Sequence, residues 1–320
     1  TLSYLLAQGT KGSTLIAGKG LALLCVVGLI IAPLAVSALF TLSAGESLLA
    51  VVGFIVGYAL YLSVWVLVVL LASSVFSKNS GSFTALAFVW ILLCIVMPRV
   101  ASTSASTAVP SAGKIETDFA VKAELRKLGD GHNTNDPAFK QFKQSLLKKY
   151  NVNSIDELPV NFRGLVASES EAKQTKVLNQ FAEQRMQSEL KQTQVSRYFG
   201  WVSPMVAIRS LSMIVVGTSI ETHHRFLRET EQLRFDFVQG LNKVHIEKLD
   251  YQVDMNRNAN TEATKKARVG SENWQILQNF TFDVDSADVR AQRSVPAFLQ
   301  LILWIVVLVG GIKLVGKRLI

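Results

Sequence analysis

The sequence predicts an α-helical membrane protein with four spans and a large, mainly helical domain between the last two. Three long apolar runs fill the first hundred residues, a charged stretch from Arg99 to Ser294 follows, and a fourth apolar run ends the chain. A helix needs roughly 20 consecutive apolar residues to cross a bilayer. None of the four runs contains an acidic residue, which fits the hydrocarbon core.

The predicted spans are Gly20–Leu42, Leu48–Phe76, Gly81–Pro98 and Val295–Gly316. Short loops rich in Lys and Arg favour the cytoplasmic side. The basic residues outside the charged stretch are Lys11, Lys19, Lys78, Lys313, Lys317 and Arg318. Their placement predicts a cytoplasmic segment 1–19, three spans within 20–98, an external domain 99–294, a last span 295–316 and a cytoplasmic tail 317–320.

Charge and cysteine usage narrow the function classes. The chain carries a net charge of +9, but the stretch from Arg99 to Ser294 holds 27 basic and 23 acidic residues that are interleaved. Nucleic-acid binding requires clustered basic residues, so no nucleic-acid partner is expected. Cys25 and Cys94 both lie in apolar runs, which excludes a disulfide within the external domain.

Small and polar residues in the spans predict helix contacts. Gly53 and Gly57 form a Gly-x-x-x-Gly pair that allows close approach of helix backbones, either within the chain or between subunits. Gln300 is the most polar group inside the last span, and its expected use is an interhelical hydrogen bond.

The amino-terminal segment predicts a short amphipathic helix, because Leu2, Leu5 and Leu6 share one side of it. The periodicity leaves three roles open. The helix would lie on the membrane, cap the bundle or dock on a soluble partner.

The external domain is predicted to be mainly helical. Ala101–Gly113 is typical of a linker, and Asp136 followed by Pro137 is a typical helix start. Apolar periodicity predicts two long helices, Leu165–Tyr198 and Ile220–Leu249.

Three further segments of the domain complete the prediction. Asp254–Thr264 is polar and predicts a loop, whereas Phe280–Val284 alternates apolar and polar residues as a strand does. The apolar stretch Met205–Val216 is too short to span and contains Arg209. We expect this stretch to form a helix that lies on the outer leaflet. The alternative is a helix buried in the domain.

His223, His224 and His245 do not predict a metal site. Adjacent histidines point in different directions on a helix, and His245 lies about six turns further on. No glycine-rich phosphate loop and no nucleophile motif occurs in the sequence. We therefore expect no cofactor and no catalysis in this chain.

The amino-terminal pattern resembles the coupling-helix region of ABC-2 type permeases. The residues that carry this resemblance are Thr1, Leu2, Leu5, Leu6, Gln8, Gly9, Gly18 and Lys19. The resemblance implies that this helix docks on a cytoplasmic ATPase subunit. The implied docking residues are Leu2, Tyr4, Leu5, Leu6, Gln8, Gly9 and Thr10.

A second pattern is similar to a bacterial ABC-2 subfamily with a large periplasmic insertion, often described as multicopper-enzyme-maturation-type permeases. Its residues are Ser203, Pro204, Leu211, Ser212, Gly217, Thr218, His224, Phe226, Glu231, Arg234, Leu241 and Asn242. The chain departs from the subfamily at Ser219, where an acidic residue is usual.

Together the two resemblances imply an exporter-like ABC-2 membrane domain in the bacterial inner membrane, with the large domain in the periplasm. They imply a separate ATPase that binds ATP and Mg, a second permease subunit that is identical or related, and two further spans upstream. A periplasmic protein is another possible partner. The alternative function is a membrane-anchored periplasmic scaffold or signal transducer without transport.

Overall fold

The described residues are mainly helical, and none of them lies in a β-strand. The structure, a computed structural model, describes residues 12–76, 78–129, 136–277 and 279–316. The α-helices in chain order are α1 (Gly12–Ser43), α2 (Leu48–Val75), α3 (Asn79–Ile91), α4 (Met97–Ala108), α5 (Lys114–Lys127), α6 (Lys140–Tyr150), α7 (Phe162–Tyr198), α8 (Pro204–Val215), α9 (Ile220–Lys248), α10 (Tyr251–Met255), α11 (Thr261–Lys266) and α12 (Ala287–Gly316).

Five helical segments are long and apolar enough to cross a membrane, which indicates a membrane-embedded protein. They are Ala17–Ser43, Leu48–Val75, Asn79–Ala108, Pro204–Lys248 and Ala287–Val315. Four of them overlap the predicted spans. The fifth is the least apolar and joins α8 to α9 across a turn at Gly217, so it is not one continuous helix.

The chain divides into two compact units. The first contains 1–110, 189–223 and 283–320, and the second contains 111–188 and 224–282. The prediction assigned the whole of 99–294 to the external domain, whereas three parts of that range pack with the predicted spans in the first unit. Those parts are 99–110, 189–223 and 283–294.

The core of the first unit lies where α2, α8 and α12 meet. Ala50 of α2, Leu211 of α8 and Leu301 of α12 belong to one buried cluster. A second cluster joins Val64 of α2 to Leu308 of α12. Helix α1 packs on α2. The many apolar side chains that α1 exposes fit a lipid environment.

The third predicted span continues further than the sequence indicates. It starts at Asn79, contains a π-helical turn over Leu92–Val96 and ends at Ala108. The prediction of a linker over Ala101–Gly113 is therefore wrong for its first part. Ala101 and Ala105 are buried, so the small residues that are typical of a linker serve here for close helix packing.

In the second unit α7 and α9 form an antiparallel pair. Gly164 contacts Ile246, Ser168 contacts Gln239 and Glu171 contacts Arg234, so positions that rise along α7 meet positions that fall along α9. Both long helices were predicted, and their observed bounds differ from the predicted ones by at most three residues.

The predicted helix start at Asp136 is confirmed. Its carboxylate accepts a hydrogen bond from the amide of Ala138, and a 3₁₀ turn over Pro137–Phe139 leads into α6. Phe139 and Leu146 from this region pack with Phe162 and Val166 of α7 in the core of the second unit.

Of two predictions for the carboxy-terminal part of the domain, one holds only between α10 and α11 and the other is wrong. The predicted loop Asp254–Thr264 contains the end of α10 and the start of α11, whose first turns are capped by Asp250 and Asn260. The predicted strand Phe280–Val284 has neither strand nor helix structure. Its alternation has another cause, because Phe280 and Phe282 both pack on the ring of Phe226.

Candidate functional site at helix α8

Helix α8 is buried among the helices of the first unit. Its 12 residues extend for about 18 Å, well short of a hydrocarbon core of about 30 Å. Ala207 and Leu211 are fully buried, packed with residues of α2 and α12. The predicted position on the outer leaflet is wrong. The apolar stretch forms a helix, as predicted, but its apolar face packs against the spans.

The two glycines of α2 lie against this helix. A Cβ atom at Gly57 would stand 2.5 Å from a methyl carbon of Leu211, whereas one at Gly53 would stand 3.8 Å from Val215. Gly57 therefore permits a close approach of α2 to α8, and Gly53 leaves ordinary van der Waals room.

The amino end of α8 is anchored to the third span. Ser203 caps α8 and is fully buried, and its hydroxyl donates a 2.7 Å hydrogen bond to the carbonyl oxygen of Leu93. In the π turn the amide of Met97 bonds to Leu92 instead of Leu93. The next residue, Pro98, has no N–H with which to continue the π pattern. Ser203 thus satisfies a carbonyl that the span leaves without a backbone donor.

The carboxy end of α8 is closed by a left-handed glycine. Gly217 has φ +73°, and the amide of Thr218 donates to the carbonyl of Met213 at 2.8 Å. This six-residue closure is the Schellman type of helix end. A Cβ at Gly217 would also meet Val284 at 3.2 Å, so this position favours glycine for both its conformation and its packing.

Arg290 of α12 connects the end of α8 to the turn between α1 and α2. Its Nη1 donates to the carbonyl of Val215 at 2.7 Å, and its Nη2 donates to Glu46 at 2.6 Å. Arg290 is only 4% exposed. The hydrogen bond from Arg290 holds the pKa of Glu46 below its ordinary value, so the pair is ionised at neutral pH.

A second polar group supports the turn before α8. The side-chain amide of Gln300 donates to the carbonyl of Arg197 at 3.0 Å, and the same side chain occupies the space where Gly200 lacks a Cβ. The guanidinium of Arg197 pairs in turn with Glu221 through two hydrogen bonds. Burial acts to raise the pKa of Glu221, but the hydrogen bonds and charge of Arg197, together with hydrogen bonds from the backbone amide of Glu221 and from Ser219, lower that pKa to about 2.

Beside these contacts lies a cavity of about 820 Å³. Its walls come from α1, the α1–α2 turn, α2, the end of α8 and residues 284–290, and the Glu46–Arg290 pair lines one end. This volume falls in the range of small-molecule binding sites. The first unit therefore combines a closely packed helix, an anchoring ion pair and room for a ligand.

The second half of the predicted motif lies in the second unit. His224 is buried, and Phe226 packs against two phenylalanine rings. Arg234 pairs with Glu231 and also with Glu171 of α7, and its hydrogen bonds to Glu231 raise its pKa above the ordinary value. Leu241 and Asn242 are half-buried on α9. Of these residues, Arg234 connects α9 to α7 through Glu171, and Phe226 packs α9 on the segment that contains Phe280 and Phe282.

The remaining predicted residues of the first unit have smaller roles. Ser212 contributes its carbonyl to the end of α8, where it accepts from the amide of Val216. Ser219, which stands where the subfamily has an acidic residue, is buried with its hydroxyl 3.3 Å from that of Thr222.

The structure describes no site for a metal ion or for the ATPase. Within the described ranges no three His, Cys, Asp or Glu side chains come together as metal ligands, and His245 instead bonds to buried Asp254 at 2.8 Å. The predicted docking residues Leu2, Tyr4, Leu5, Leu6, Gln8, Gly9 and Thr10 lie outside the described residues.

The Glu46–Arg290 pair and the π turn were not predicted. Glu46 is the only acidic residue outside the long charged stretch, and Pro98 follows Leu93 by five positions. Both features, the isolated acidic residue and the nearby proline, are visible in the sequence. Neither indicates its partner, because Arg290 is 244 positions from Glu46 and Ser203 is 110 positions from Leu93.

Comparison with known proteins identifies one family. Residues 114–283, more than half of the chain, match the domain of unknown function DUF3526. No curated protein and no solved structure matches the chain. The matched segment includes α8 and most of the second unit. By this match the chain belongs to the DUF3526 family.

Proposed function

We propose that this chain is the permease subunit of an ATP-driven exporter of the ABC-2 type. The observation that carries the proposal is the position of α8. This helix belongs to the family-matched segment, yet it is buried among helices that are long and apolar enough to span a membrane. A movement of those helices would be transmitted directly to the segment that follows α8.

The contacts at both ends of α8 support this transmission. Ser203 bonds to the third span, and the carbonyl of Val215 bonds to Arg290 of the last span. A simple membrane tether for a soluble domain requires neither contact. The two anchors therefore favour a permease in which movement of the spans is passed to α8, over the alternative of a passive scaffold.

The energy source in this proposal is a separate ATPase. The sequence has no phosphate-binding loop, and the four predicted spans carry no Asp, Glu or His at mid-depth, where ion-coupled carriers usually place them. ATP and Mg would bind to the partner, which docks through Leu2 to Thr10. A second permease subunit would complete the transporter in the bacterial inner membrane, with the large domain in the periplasm.

Co-purification tests this function. The full-length protein is purified in mild detergent, and the proteins that remain bound are identified by mass spectrometry. We expect an ABC ATPase in equal numbers with this chain. The substitution Leu5→Glu should abolish its recovery, because it puts a charge on the apolar side of the predicted helix.

The matched control is Ser3→Glu, which adds the same charge at a polar position outside the predicted Leu2–Leu5–Leu6 stripe and should leave recovery unchanged. Recovery of periplasmic proteins alone would favour the scaffold. Equal recovery of the ATPase with Leu5→Glu and with the wild type would contradict the docking role.

A further inference from the structure

The cavity beside α8 has an apolar wall and a polar end. Leu34 and Ala38 of α1 face the cavity together with Val51 and Phe54 of α2. These positions lie in two candidate membrane spans, and apolar side chains such as Leu39 are exposed around them. The apolar wall therefore belongs to segments that would lie within the bilayer.

The polar end contains a buried donor that lacks an acceptor. Both terminal nitrogens of Arg290 are used by Glu46 and Val215, but its Nε has no hydrogen-bond partner among the described residues. An unsatisfied buried N–H is unfavourable. A ligand with an oxygen acceptor at this end would satisfy it after a small shift of the Arg290 side chain, because the Nε atom itself is buried.

The same end also presents negative charge. The side chain of Glu46 is 32% exposed and lines the cavity, and Asp285, which pairs with Arg293, lines it as well. The low pKa of Glu46 keeps it anionic at neutral pH. A purely anionic ligand would face these carboxylates, whereas a ligand that carries both charges matches the guanidinium and the carboxylates together.

We propose that this cavity binds a zwitterionic phospholipid from the bilayer. An acyl chain lies along Ala38, Val51 and Phe54, a phosphate or ester oxygen accepts from Nε of Arg290, and the ammonium group of the headgroup lies near Glu46. The inference goes beyond the exporter function and does not depend on it, since binding requires neither ATP nor a partner subunit.

Photolabelling of the full-length protein in bilayers tests the proposal. The probes are phosphatidylethanolamine and phosphatidylglycerol that carry the same diazirine-bearing acyl chain, and mass spectrometry locates the label. We expect phosphatidylethanolamine to label peptides that contain Leu34–Thr41 or Ala50–Phe54 about tenfold more than phosphatidylglycerol does, the ratio produced by one charge-assisted contact. Equal labelling by the two lipids would overturn the proposal.

Two tryptophan variants separate cavity binding from labelling at the general lipid surface. Ala38→Trp fills the cavity and should reduce labelling by about tenfold. Leu39→Trp adds the same side chain at a neighbouring exposed position and should leave labelling unchanged. Wild-type labelling in Ala38→Trp would also overturn the proposal.

Two substitutions of residues that are proposed to contact the lipid headgroup test the polar end of the cavity. Arg290→Lys keeps the positive charge beside Glu46 but removes the Nε donor, and it should weaken labelling by phosphatidylethanolamine. Glu46→Gln should reduce the preference for phosphatidylethanolamine over phosphatidylglycerol. Thermal unfolding of each variant identifies any that fail to fold, and the two tryptophan variants decide the question without them.

Discussion

The hydroxyl of Ser203 donates a 2.7 Å hydrogen bond to the carbonyl of Leu93, at the point where a π turn precedes Pro98 in the third span. The helix cap Ser203 and the π turn before Pro98, which look unrelated in the sequence, thus form one contact. A helix start in the family-matched segment satisfies a backbone group that the proline-containing span leaves without a donor.

Ser203→Ala should lower the free energy of unfolding by about 1–3 kcal/mol, because it removes a helix cap and leaves a buried carbonyl unsatisfied. Thermal unfolding of the full-length protein in detergent measures the change. Ser212→Ala makes the same chemical change in the same helix and should have little effect. Equal losses in the two variants would show that the Leu93 contact contributes nothing.

Gly57→Ala should destabilise the bundle by about 1–3 kcal/mol, because the added Cβ would overlap Leu211 of α8. Gly53→Ala is the matched control, since its Cβ has ordinary room. In a Leu211→Ala background, Gly57→Ala should cost less than it does in the wild type, because the methyl group that the added Cβ would meet is gone. If Gly53→Ala proves the more harmful of the two, the packing of α2 on α8 described above is incorrect.

Removing the Glu46 carboxylate should lower the free energy of unfolding more than removing an exposed carboxylate does. Glu46→Ala leaves the guanidinium of Arg290 buried with one partner fewer, at a cost of about 3 kcal/mol. Glu183→Ala breaks an exposed pair with Arg228 and should cost at most about 1 kcal/mol. Chemical denaturation of the two variants gives the comparison, and similar costs would contradict an anchoring role for Arg290.

Acid should weaken the contact between Arg197 and Glu221. The folded pKa of Glu221 is about 2, below its ordinary value of 4.5, so the carboxylate stabilises the fold above pH 4.5. That contribution is lost as the pH falls from 4.5 towards 2. Unfolding temperatures measured across this range should therefore fall less steeply for Glu221→Gln than for the wild type, and parallel curves would contradict the assignment.

The span layout and the long helices were predictable because each depends on local pattern. Runs of about 20 apolar residues define spans, and Asp136 with Pro137 defines a helix start. The position of α8 was not predictable, because the pattern of Met205–Val216 gives an apolar face without its partner. The predicted strand failed for the same reason, since Phe280 and Phe282 alternate in order to pack on Phe226.

The candidate site was predictable only in part. Gly57, Ser203, Leu211 and Gly217 were singled out from the sequence, and the structure brings all four to α8. The pairing of Glu46 with Arg290 depends on how the first turn and the last helix meet in the folded bundle, which no local pattern encodes.

The measurement that tests the central claim most directly is the rate of ATP hydrolysis by the co-purified ATPase in proteoliposomes, with and without this chain. The proposed exporter predicts that the rate depends on the chain and that Leu5→Glu removes this dependence while Ser3→Glu preserves it. A rate that is the same in the presence and absence of the chain would contradict the permease function.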